Sequence, residues 1–198
     1  MKLYCNPIVP STRSILVTAM EAGLEDELDI VRTGGTDVEA SEAARAAGVV
    51  QEPRLALDDG TVIVGAQQIC ACLDSLHERP GMIPGAGEAR LEIDQLESAA
   101  EELFEAALYR YQALHWPDTG DNVASAQWQR MQQIIETLES VAGTVMTGPV
   151  NLGQIAVACT LGWLDKYLPD DDWRSRSPAL ARWYRRFRDR PSMRATEQ

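Results

Sequence analysis

The stretch from Pro53 to Asp74, PRLALDDGTVIVGAQQICACLD, decides the fold. Two short apolar runs, Arg54–Leu57 and Val62–Val64, flank Asp58-Asp59-Gly60. A turn dipeptide between two such runs is a strong hairpin signal. Gln67–His77 then reads as a helix. Upstream, Leu3–Cys5 and Leu28–Arg32 read as strands, and Ser11–Gly23 as a helix between them. Asp37–Gly48 is polar and alanine-rich and ends in glycine, a common C-terminal cap, so it reads as a further helix. The order is βαβαββα, in which a crossover joins parallel strands before an antiparallel pair finishes the sheet.

Downstream of this unit (residues 1–78), Arg79–Gly87, RPGMIPGAG, has no periodicity and reads as a linker (79–87). The remainder, 88–198, reads as helical throughout. Ile93, Leu96, Ala100, Leu103, Ala107 and Tyr111 recur by threes and fours and draw one apolar stripe along a long helix. Trp128, Met131, Ile135, Leu138 and Ala142 draw another. Stripes of this spacing are read as packing faces rather than cofactor sites. Asn151-Leu-Gly-Gln154 has the form of a helix cap, and Ile155–Trp163 is apolar on nearly every face, which predicts the buried centre of the second domain. Leu180, Trp183, Tyr184 and Phe187 mark a final amphipathic helix with Arg182, Arg185, Arg186 and Arg188 on its solvated side.

The 198 residues carry a net charge of -12, with 45% hydrophobic and 24% charged residues. That balance argues against a nucleic-acid or anionic-membrane surface. No apolar run approaches the ~20 residues that cross a bilayer, and no secretory signal is evident, so a cytoplasmic location is expected. Cys5, Cys70, Cys72 and Cys159 match neither a disulfide framework nor a zinc pattern, and with only His77 and His115 no metal is expected. The cysteines read as reduced thiols packed as small apolar residues.

The unit order and several segments together resemble the cytosolic glutathione transferases. The segments are PRLALDDGTVIVGAQQICACLD, ALYRYQ, WQRMQQIIETLE, LGWLDKYLPDDDW (Leu161–Trp173) and PALARWYRRFRDRPSM (Pro178–Met193). The resemblance implies an α+β two-domain fold: a thioredoxin-like N-terminal domain and an all-helical C-terminal domain. It also implies a homodimer, glutathione as cosubstrate and a small-molecule electrophile as partner. In this family the proline at the position of Pro53 is cis and exposes the preceding backbone to the tripeptide.

Glutathione transfer needs a thiolate, and a free thiol has a pKa of roughly 8.5. A hydroxyl hydrogen bond and the positive end of the first helix are the two devices that stabilise it. Pro10 suits the first turn of that helix. The residue before this proline is often the family's serine or cysteine, and here it is Val9. Ser11 and Thr12 are therefore the candidate donors, with Ser11 preferred; the alternative is that both only satisfy backbone groups of the first turn. Glu52, Pro53, Gly65, Ala66 and Gln67 occupy the tripeptide-binding positions. Where the family usually has an acidic residue followed by serine, this chain has Gly65-Ala66, and Glu52 stands where an apolar residue is common, unless it points to solvent or meets Arg13 or Arg54. Tyr109 and Tyr111, with Trp116 beside them, are candidates for the second-substrate pocket and are equally explained as core or interface residues.

Three readings follow: a transferase conjugating glutathione to a small electrophile through an atypical, weakened site; a non-catalytic dimeric binding or interaction module of the same fold; and a protein of that fold serving a different small ligand.

Overall fold

The structure, a computed structural model of the chain, describes residues 1–33, 53–76, 81–116 and 121–197. Two compact units are present: Met1–Ile83 together with Pro191–Gln198, and Pro84–Arg190. The last residues, which the sequence pattern groups with the helical half, thus belong with the first unit.

In the first unit, β1 (Lys2–Cys5) lies between β2 (Asp29–Arg32), parallel to it, and β3 (Arg54–Ala56), antiparallel to it. β4 (Val62–Val64) pairs antiparallel with β3, giving the order β2-β1-β3-β4. This is the mixed sheet that the hairpin and crossover signals predict. The predicted helix Asp37–Gly48 lies outside the described residues. Leu3 and Leu55 face each other in register, and both are fully buried. Ile15 of α1 (Pro10–Ala22) and Ile69 and Leu73 of α2 (Ala66–Ser75) are also fully buried. Each such side chain contributes roughly 1.5–3 kcal/mol of burial energy. The hairpin turn is fastened by Leu57 N–H to Thr61 O (2.9 Å) and by Thr61 N–H to Asp59 Oδ1 (2.8 Å). The chain then leaves α2 under the control of Asp74, a buried carboxylate that accepts N–H bonds from Met82 (2.6 Å) and Ile83 (3.0 Å).

The second unit comprises α3 (Glu88–His115), α4 (Asp121–Val141), α5 (Leu152–Tyr167) and α6 (Pro178–Phe187). Asn151 caps α5, its side-chain oxygen accepting the Gln154 amide at 2.9 Å. Nearly every residue from Leu152 to Leu164 is buried, as the apolar composition predicts. The close crossing of α5 on α3 depends on Gly153: a Cβ there would stand 2.7 Å from Leu96 Cβ and 3.0 Å from the Ile93 carbonyl. The arginines Arg182, Arg185, Arg186 and Arg188 are exposed, as a solvated face requires.

One buried ion pair ties this unit together. The Arg110 guanidinium grips both oxygens of Asp171, donates to the Ala124 carbonyl at 2.9 Å and lies 5.2 Å over the Trp128 ring. Both side chains are largely withdrawn from water (14% and 9% exposed), so removing one leaves the other charged and unpaired. We expect Arg110→Ala to lower the unfolding free energy by about 3–5 kcal/mol, read from urea denaturation midpoints.

Candidate functional site

The sheet topology brings one set of features to a single end. β1, β2 and β4 run the same way and β3 runs against them. The C-terminal ends of β1 and β4 therefore lie beside the start of β3. α1 begins after the first of these strands and α2 after the second, and the two helices pack side by side. Ser11, Pro53 and Gly65–Gln67 consequently stand at the same end of the sheet. Glu52 lies outside the described residues.

The approach to α1 is shaped residue by residue. Asn6 accepts the Ile8 amide on its own side chain at 3.1 Å, forming a small local turn. Val9 is extended (φ -86, ψ 142), the conformation that a following proline favours. The Val9 carbonyl then takes the amides of Thr12 (3.2 Å) and Arg13 (3.4 Å). Pro10 has no N–H, and neither the amide nor the hydroxyl of Ser11 has a partner among the described residues. Ser11 thus offers two donors at the positive end of a 13-residue helix.

Thr12 is placed differently. One residue further round the helix, it is fully buried, and its hydroxyl oxygen has no hydrogen-bond partner among the described residues. The sequence favours Ser11 over Thr12 by resemblance alone; burial adds a physical difference between them. The amide of Ser11 was not singled out in the sequence, although Pro10 at the helix start is a signal that the next amide is the first one free.

At α2 the arrangement is similar. Gly65 precedes the helix at φ 93 and donates its amide to the Pro53 carbonyl at 3.0 Å, binding hairpin and helix start into one corner. No side chain caps this helix, and the amides of Ala66, Gln67 and Gln68 have no partner among the described residues. Ala66 is half-buried and Gln67 exposed. Uncapped helix starts of this kind favour a carboxylate. Neither Gly65 nor Ala66 brings a negative charge for an ammonium.

In the helical unit, Tyr109 and Tyr111 are two positions apart on α3 and so face different ways. Tyr109 is exposed. Tyr111 stacks on His115 at 4.0 Å and meets Trp163 (5.9 Å) and Tyr167 (5.8 Å) edge-on. Phe104 closes at 5.3 Å on Trp163, whose buried indole N–H has no partner among the described residues, and Trp116 is exposed. The structure therefore puts Tyr111 into an aromatic cluster and Tyr109 on the surface.

Among the described residues, no cluster of His, Cys, Asp or Glu could hold a metal ion, and no helix is long and apolar enough to cross a membrane. None of the four cysteines is in a disulfide, and three of them are buried.

A thioredoxin-like sheet carrying two uncapped helix starts, joined to an all-helical domain, defines the class. Residues 93–186 match the family model for the glutathione S-transferase C-terminal domain. The GST-like protein YibF of Escherichia coli (strain K12) is 24% identical over 201 residues, which span 100% of this chain and 98% of that protein. A glutathione transferase family member from Pseudomonas fluorescens Pf-5, crystallised with S-(propanoic acid)-glutathione, superposes with a TM-score of 0.88 at 28% identity, covering 100% of this chain and 98% of that one. A glutathione S-transferase from Methylobacillus flagellatus KT with glutathione bound gives 0.87 at 24% identity, covering 98% of each chain. The chain is a glutathione S-transferase-like protein whose residues 93–186 match that family's C-terminal domain.

Two predictions test this geometry. Thr12→Val removes a buried hydroxyl that makes no bond among the described residues and should raise the unfolding free energy by about 1 kcal/mol, seen as a higher thermal midpoint. The second concerns Glu97 on α3. Burial, then repulsion from Asp94 and Glu101 against the pull of Arg90, raises its carboxyl from 4.5 to about 7. The folded state favours the protonated form, so this stabilisation is complete below pH 4.5 and is lost as pH rises through about 7. Glu97→Gln should therefore stabilise the protein at pH values above about 7 by about 1 kcal/mol, because the carboxyl keeps part of its solvent contact. Below pH 4.5 it should change little, and urea denaturation on either side of the window makes the comparison.

Proposed function

We propose that the chain is a glutathione-dependent transferase that conjugates a small electrophile through a weakened glutathione site, with Ser11 holding the thiolate. The observation that carries this reading is the pair of free donors on Ser11 at the start of α1. Lowering a thiol by one to two pKa units corresponds to ~1.4–2.7 kcal/mol. A hydrogen bond to a charged group supplies ~1.5–3 kcal/mol, so one such bond with the helix end is sufficient. The Ser11 hydroxyl and amide donate to the sulfur, which then attacks the electrophile and displaces its leaving group as an anion, or adds to its activated double bond, the resulting carbanion taking a proton from water. Thr12 is sealed from solvent and serves packing rather than chemistry.

The free amides of α2 are suited to the γ-glutamyl carboxylate, while its ammonium meets no acidic side chain at Gly65-Ala66. Loss of one charged partner weakens binding by about 1.5–3 kcal/mol, or one to two decades. Glutathione-bound relatives, one of them 28% identical over the whole chain, support the ligand assignment. The reading includes a homodimer and a cytoplasmic location, both expected of the family. Aromatic side chains around Tyr111 and Trp163 are the candidates for contacting the electrophile.

The missing counter-charge at Gly65-Ala66 also favours a second reading, a non-catalytic binding module of this fold. Conjugation of glutathione to 1-chloro-2,4-dinitrobenzene, followed by absorbance, separates the two. The first reading predicts measurable turnover, a loss of about 10–100-fold in kcat/KM for Ser11→Ala, and an unchanged rate for Thr12→Val. No turnover and no retention on immobilised glutathione would leave the binding module standing. Full activity in Ser11→Ala would remove the role assigned to that residue.

A further inference from the structure

α1 is held at both ends by the last residues of the chain. Near its start, Arg13 donates from one guanidinium nitrogen to the Met193 carbonyl (2.8 Å) and from Nε to the Thr196 hydroxyl (3.3 Å). That hydroxyl in turn donates to the Ser192 carbonyl at 2.9 Å. Near the other end of α1, Glu21 accepts a hydrogen bond from the Ser192 hydroxyl. Ser192 and Met193, at the head of the single-turn helix α7 (Pro191–Ala195), are buried, so the segment is seated rather than draped.

Two further facts make this arrangement informative. Arg13 lies in the first turn of α1, where the helix dipole already concentrates positive charge, so a cation there has the wrong sign for helix stability. Meanwhile the flank of α1 at Thr12, Leu16, Ala19 and Met20 borders a cavity of about 490 Å³. Thr196 lines the same cavity. Beside such a gap, hydrogen bonds from another segment fix the helix start.

We infer that Ser192–Thr196 forms a strap that positions Ser11, with Arg13 as the positioning residue between them. The strap acts through the backbone: Arg13 N–H and Thr12 N–H close on the Val9 carbonyl, and this closure keeps the Ser11 amide and hydroxyl at the mouth of the helix. The inference rests on the reading of Ser11 as the thiolate donor.

The variants Thr196→Val and Ser192→Ala change residues some 180 positions from Ser11 and leave the donors themselves intact. The thiol pKa of bound glutathione is read from the ultraviolet absorbance of the thiolate during a pH titration. In Thr196→Val it should rise by about half a unit or more, while S-methylglutathione binding changes by less than about twofold. Arg13→Lys keeps the charge but loses the two-pronged contact, and should show the same rise. A lowered thermal midpoint with an unchanged thiol pKa would overturn the inference and leave the strap a stability element only. If the wild-type protein binds no glutathione, the proposed function fails, and amide exchange in the unliganded protein then judges the strap. Exchange at Thr12 and Arg13 faster by about tenfold or more in Thr196→Val would uphold it, and unchanged exchange would overturn it.

Discussion

Two helices, α1 and α2, begin where strands of the same direction end, and the site follows from that constraint. A backbone amide at a helix start has no partner within the helix, and the sheet topology puts two such starts side by side. Each is left without a side-chain cap: Val9 precedes the first and Gly65 the second. In most helices a serine, aspartate or asparagine would occupy these positions and satisfy the amides. Here the donors remain available at Ser11 and at Ala66–Gln68. The fold thus forgoes local stabilisation at the corner where an anion would be bound.

Stability is supplied elsewhere. Leu3, Leu55, Ile15, Ile69 and Leu73 close the core beneath the two helices, and Asp74 fixes the chain as it leaves α2. The helical unit is independently secured by the Arg110–Asp171 pair and by the tight approach of α5 to α3 at Gly153. Asp165 adds to this by accepting from the Trp173 indole at 3.0 Å and gripping Arg174, which stacks on the Trp173 ring at 4.4 Å. Within LGWLDKYLPDDDW, Asp165 thus pairs with Trp173 and with Arg174 just beyond it, and Asp171 pairs with Arg110 of α3.

Much of this was legible in the sequence because periodicity records burial. The Asp58-Asp59-Gly60 turn announced the hairpin, and the stripes from Ile93 and Trp128 announced α3 and α4. The preference for Ser11 over Thr12 came from resemblance, and the difference in their burial was not legible. It depends on the phase of α1 against the sheet, which no local pattern encodes. Tyr109 and Tyr111 were grouped by proximity in sequence, but the helical step separates them. The contact of Arg13 with Met193 joins residues at opposite ends of the chain, and α7 is a single turn too short to announce itself by spacing. Arg13 did leave one trace, a cation in the first turn of a helix.

The central claim is that a thiolate rests on the free donors of Ser11. A crystal structure of the protein with glutathione tests it directly. The account predicts the sulfur within about 3–3.5 Å of both the Ser11 hydroxyl and amide, with the γ-glutamyl carboxylate on the amides at the start of α2. A tripeptide bound with its sulfur remote from Ser11 would contradict it.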